Sequence, residues 1–149
     1  MKKGDIILIC AIVLIIYYLT RPLNRASDTN EAHIQKMDAS IRNNVRSFLK
    51  EIEALGYTPK IIDSTRTYEQ QAYYKRLDKR NASAGHSSHE TGNAFDIKIY
   101  KGKQVLTKGT PKSVWTASGI PEIAKYYGMR WGGNFKGYPD NNHFDFLKL

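Results

Sequence analysis

The chain has 149 residues, with 23 lysines and arginines against 14 aspartates and glutamates, a formal charge of +9, and one cysteine. That length can bury a core without staples, and a lone cysteine excludes both a disulfide framework and a cysteine-built zinc site, so any metal centre must come from His, Asp and Glu. The charge favours a polyanionic partner (nucleic acid, anionic lipid headgroups or a bacterial cell wall) without choosing among them.

Residues 1–29 hold four basic and two acidic side chains, so 19 against 12 remain and the rest of the chain keeps a formal +7. The first segment is apolar. Ile6 to Leu19, "IILICAIVLIIYYL", is uncharged and flanked by Lys2, Lys3, Arg21 and Arg25. Fourteen residues span roughly 21 Å as a helix, short of a ~30 Å hydrocarbon core. The length suits a secretory signal, but the exit "YYLTRPLNRAS" offers no small-x-small cleavage site. Tyr17 and Tyr18 fit an interfacial belt, and flanking side chains can snorkel. The expectation is an uncleaved N-terminal transmembrane helix over residues 1–22, then a linker over 23–30 and one domain over 31–149.

Asp28 followed by Glu31 reads as a capping box. Apolar residues at Ile34, Met37, Ile41, Val45, Phe48, Ile52 and Leu55 then form an amphipathic helical stripe ended by Gly56. His33 fits no ligand pattern and reads as a surface residue. "KIIDSTR" (60–66) predicts a short strand, "YEQQAYYKRLDKR" (68–80) a second helix, and "NASAGHSS" (81–88) a loop of small residues. "NAFDIKIY" (93–100) alternates, with Phe95, Ile97 and Ile99 on one face and Ala94, Asp96 and Lys98 on the other. "KGK" predicts a hairpin turn into "QVLT". Pro121 opens a helix through Tyr127, closed by Gly128. The Gly-rich loop "GGNFKGYPDNN" leads to a last strand, "HFDFLKL", where His143 and Asp145 share one face and Phe144 and Phe146 the other. Helices and short strands mix without a βαβ repeat, so the fold class is α+β.

His89 and Asp96 stand seven positions apart, and His143 joins Asp96 as a strand-borne polar side chain. Each alone has a duller reading, as a hydrogen-bonded surface His or a solvated Asp. Together they make a His₂Asp set, which leaves a zinc ion one open position for water. Asp140, three residues before His143, is placed to act as a base toward that water. His86 could compete as a ligand.

Three ordered blocks carry a resemblance. "NASAGHSSHETGNAFDI" resembles the Ser-x-His-x-x-Gly-x-Ala-x-Asp signature of the zinc peptidases that cut bacterial cell-wall peptides. That group includes D-alanyl-D-alanine carboxypeptidases, the vancomycin-resistance dipeptidases and phage L-alanyl-D-glutamate endolysins. "YYGMRWGGNFKGYPDNNHFDF" is similar to its Trp-Gly-Gly and Asp-x-x-His-Phe block, and "STRTYEQQAYY" to the block with an Arg followed five residues later by a Gln. The resemblance implies a small antiparallel sheet packed against helices, with Zn²⁺ on His89, Asp96 and His143 and Asp140 as general base. It implies Arg66 as the holder of substrate and developing oxyanion, with Ser87 and Gln71 shaping the pocket. The partner it implies is the peptidoglycan stem peptide, with no nucleic acid. Combined with the apolar N-terminus, it suggests a single-pass membrane protein whose peptidase domain faces the cell wall.

Asp rather than Glu before the last His is more similar to the L-alanyl-D-glutamate endopeptidases. The alternatives are a D-Ala-D-Ala carboxypeptidase and a non-catalytic, zinc-containing wall-binding module. The sequence departs from the pattern at Ser64 and Thr65, where the family has a Gly and an aromatic, and at Phe135, where it has a second Trp.

Overall fold

The structure, a computed structural model, describes residues 25–147. The expected membrane anchor, residues 1–22, lies outside them. Among the described residues no helix is long and apolar enough to cross a membrane.

Five strands make one antiparallel sheet: β1 (Thr58–Asp63), β2 (Ala94–Lys101), β3 (Gln104–Leu106), β4 (Arg130–Trp131) and β5 (His143–Asp145). The order is β1-β2-β5-β4, and β3 folds back on the far end of β2 through the expected "KGK" turn. Alternation along β2 buries Phe95, Ile97 and Ile99 completely and leaves Asp96 and Lys98 on the other, partly open face. The α+β class and the small antiparallel sheet are therefore as the sequence predicts.

Helices α1 (Arg25–Ile34) and α2 (Arg42–Ala54) cover the apolar side, with α3 (Tyr68–Leu77), α4 (Lys112–Ala117) and α5 (Ile120–Tyr126) around the rim. Phe48 of α2 reaches both sheet phenylalanines, 6.0 Å from Phe95 and 5.3 Å from Phe144, which are themselves stacked at 5.8 Å. Trp115 of α4 closes the cluster 6.1 Å from Phe144. Each such ring contributes about 1.5–3 kcal/mol by its burial, so this aromatic nucleus fixes β2 against β5. Helix α4 was not anticipated from the sequence.

The single helix expected from the stripe Ile34–Leu55 is two helices. Asp38 accepts from both the backbone N–H and the hydroxyl of Ser40, and its own N–H donates to Gly92 O at 3.0 Å. This turn, with Asp38 competing for local backbone groups, breaks the helix. Met37 and Ile41 stay buried on either side of it, so the apolar stripe runs on through the break, although Leu55 is exposed. Gly92 permits the approach: a Cβ there would stand 2.8 Å from Asp38 N.

Residues 25–30, within the expected linker, are helical, and Asn30 is buried. Its side chain donates to Pro59 O at 2.9 Å and accepts from Ile61 N at 2.7 Å, so one amide pairs the outer edge of β1 as a neighbouring strand would.

Candidate metal centre

Asp96 and His143 are directly paired across β2 and β5, which points both side chains to the same face. His89 enters from the preceding loop. Its Nε2 lies 3.3 Å from His143 Nδ1 and 3.5 Å from Asp96 Oδ1, and His143 Nδ1 lies 2.9 Å from Asp96 Oδ1. A tetrahedral zinc site with bonds near 2.0–2.1 Å has ligand-to-ligand edges of about 3.3 Å. Three donors of the right chemistry thus sit at nearly that separation, all largely buried, and the set fits the metal that the sequence implied.

The surroundings orient each donor. His89 Nδ1 is hydrogen-bonded to the carbonyl of Ser64, which puts the proton on Nδ1 and turns the Nε2 lone pair toward the centre. Ser64 is in turn bonded through its hydroxyl to His33 at 3.0 Å. His33 is therefore half-buried behind the site rather than a surface residue. Burial, aided by the charge of Lys36, pushes its pKa down. On the other side, His143 Nε2 faces Asp145 Oδ2 at 3.6 Å. Asp145 is 2 % exposed and held by both Arg130 nitrogens at 2.8 and 2.6 Å, with Ser88 Oγ at 3.3 Å.

A bulge in β1 sets Asp63 opposite Asp96, bringing two carboxylates side by side. Arg66 neutralises the pair, with Nε bonded to Asp63 at 2.7 Å and Nη2 to Asp96 Oδ2 at 3.1 Å. Burial alone would push Asp96 up; its two histidines more than offset this and hold it well below the usual carboxylate range. Gln71 is almost fully enclosed, accepting from Arg66 and donating to Ala82 O, so it ties the arginine to the 81–88 loop. The Ser87 hydroxyl accepts from His89 N at 3.3 Å.

All seven residues anticipated from the sequence (Arg66, Gln71, Ser87, His89, Asp96, Asp140 and His143) line one cleft of about 970 Å³. Asp140 is fixed through its backbone: its N–H donates to Gly132 O at 2.9 Å and its carbonyl accepts from His143 N at 3.1 Å. Gly132 is required there, because a Cβ would collide with Asp140 O. Lys108 holds Asp140 Oδ2 at 2.7 Å, while Oδ1 is buried and has no partner among the described residues. His86 is exposed in the same cleft and outside the ligand group. Phe135 keeps an aromatic ring 5.7 Å from that of His143.

Asp63, Lys108, Arg130 and Asp145 were not anticipated as site residues. Only Asp145 had left a trace, on the same strand face as His143.

A family profile described as D-alanyl-D-alanine carboxypeptidase matches residues 80–146. The L-alanyl-D-glutamate peptidase of Listeria phage A118 is 30 % identical over 130 residues, which is 87 % of this chain and 42 % of that protein. The chain thus spans less than half the length of that curated relative. Among solved structures, the L-Ala D-Glu endopeptidase ChiX of Serratia marcescens matches 80 % of this chain and 86 % of its own, at 19 % identity and a TM-score of 0.61. A vancomycin-resistance D,D-pentapeptidase, VanY from a VanB-type cassette, crystallised with Zn(II), matches 75 % of this chain and 73 % of its own, at 18 % identity and a TM-score of 0.55.

Proposed function

We propose that the chain, similar over residues 80–146 to a D-alanyl-D-alanine carboxypeptidase profile and over 130 residues to an L-alanyl-D-glutamate peptidase, is a metallopeptidase that hydrolyses a peptide bond in the peptidoglycan stem peptide, the L-Ala-D-Glu bond first. The observation that carries this reading is the juxtaposition of a three-donor centre with a carboxylate, Asp140, one of whose oxygens is buried and unpartnered. A structural metal site needs no such base, which weighs against a wall-binding module.

Zn²⁺, held by His89, Asp96 and His143, supplies Lewis acidity when bound, drawing a water pKa toward ~7 and polarising a carbonyl. Asp140 accepts the proton from the attacking water on its free Oδ1 and returns it to the departing amine, its other oxygen anchored by Lys108. Arg66 Nη2 is taken up by Asp63 and Asp96, but Nη1, which donates to Gln71, keeps one N–H without a partner among the described residues, available to a substrate oxygen gaining charge. Asp63, Gln71 and the ring of Tyr74, 4.6 Å away, hold the guanidinium still for that task. Ser87 shapes the pocket floor beside His89.

The 30 % identity to a phage L-alanyl-D-glutamate peptidase supports the endopeptidase over the carboxypeptidase. The family profile's own description keeps the latter as the second reading. We place the domain on the wall side of a membrane, anchored by residues 1–22.

Digestion of intact peptidoglycan by the zinc-loaded protein, with and without chelator, tests this. A chelator-sensitive new D-Glu amino terminus is expected. Free D-Ala would move the chain to the carboxypeptidase branch, and no cleavage would end the hydrolase reading.

A further inference from the structure

Six cations line the cleft: Arg66, Arg80, Lys98, Lys108, Arg130 and Lys136. Four are neutralised within the chain, Arg66 by Asp63 and Asp96, Arg80 by Asp78, Lys108 by Asp140 and Arg130 by Asp145. Lys136 is exposed on the rim. Lys98 alone is half-buried and has no carboxylate partner among the described residues. Its position makes this costly. It sits two residues along β2 from Asp96, on the same face, and is paired directly with Lys60 of β1. Like charges opposed across a ladder destabilise it, and among the described residues no acidic side chain forms an ion pair with either lysine.

We propose that Lys98 forms a carboxylate-reading subsite, which takes a substrate residue carrying a free carboxylate next to its peptide bond. This rests on the stem-peptide reading above and deepens it. A glutamate linked through its γ-carboxyl presents such a group, with its α-carboxylate toward Lys98. The α-carboxamide form would lose the charge-assisted bond and be discriminated against.

The test uses two synthetic peptides, L-Ala-γ-D-Glu-L-Lys-D-Ala-D-Ala and its glutamate α-carboxamide counterpart. Cleavage is measured with zinc-loaded protein, and binding with the Asp140→Asn variant, where turnover does not interfere. The carboxylate peptide should be favoured roughly 10- to 100-fold in kcat/KM and in Kd. Lys98→Met should erase the preference by weakening only the carboxylate peptide, with zinc content unchanged. Equal handling of both peptides, or a preference that survives Lys98→Met, would overturn the subsite. If neither peptide is cleaved the hydrolase reading fails, while the binding ratio still decides the role of Lys98.

Discussion

Asp145 stands with its Oδ2 3.6 Å from the Nε2 of His143, two residues along the same strand face, and is clamped from behind by Arg130. The imidazole thereby gains a carboxylate on the side away from the other two donors. Carboxylates behind a ligating histidine raise its basicity and fix the ring, and their loss typically costs 10- to 100-fold in metal affinity. Asp145→Asn should weaken zinc binding by roughly that factor while the fold persists, because the amide keeps the shape. Competition with a chromophoric chelator measures it; unchanged affinity would reduce Asp145 to a partner for Arg130.

The same neighbours make metal uptake depend on pH. Burial pushes the His143 pKa down, but hydrogen bonds and charge from Asp145 and Asp96 more than offset it, raising it from 6.5 to about 9 in the metal-free protein. A folded value above the unfolded one means that protonation stabilises the metal-free fold fully below pH 6.5, and that this contribution is lost as pH rises through 9. The proton on Nδ1 occupies the position a metal would take. Zinc uptake at pH 7.5 should therefore release a proton from His143, read by calorimetry in buffers of different ionisation enthalpy. Affinity should climb toward pH 9. Uptake with no proton release would refute this.

Asn30 couples the first helix to the sheet. Asn30→Ala would leave the Pro59 carbonyl and Ile61 N–H without their side-chain partner, at a cost on the order of 2–3 kcal/mol. The midpoint of urea unfolding should fall with little change in slope. A loss within a few tenths of a kcal/mol would mean that water replaces the amide.

The metal donors were legible because strand alternation is a short-range property: Asp96 and His143 had to oppose Phe95 and Phe144 once each segment was a strand. Phe95 and Phe144 of the aromatic nucleus followed from the same pattern, whereas Trp115 did not. The helix break at Asp38 was hidden because Met37 and Ile41 stay buried on both sides of the turn, so periodicity runs through it. The β1 bulge that pairs Asp63 with Asp96 is a shift in register between strands more than thirty residues apart. Lys108 reaches Asp140 across 32 residues, and no local pattern announces such a contact. His33 was misread for the same reason, since its partner Ser64 comes from another element.

As the proposed base, Asp140 does its chemistry beside a centre that binds metal without it. Zinc content and peptidoglycan cleavage measured together on Asp140→Asn test it most directly. Zinc should bind as in the unaltered protein, with cleavage slowed by about 10²–10⁴-fold. Near-normal cleavage with zinc bound would contradict it.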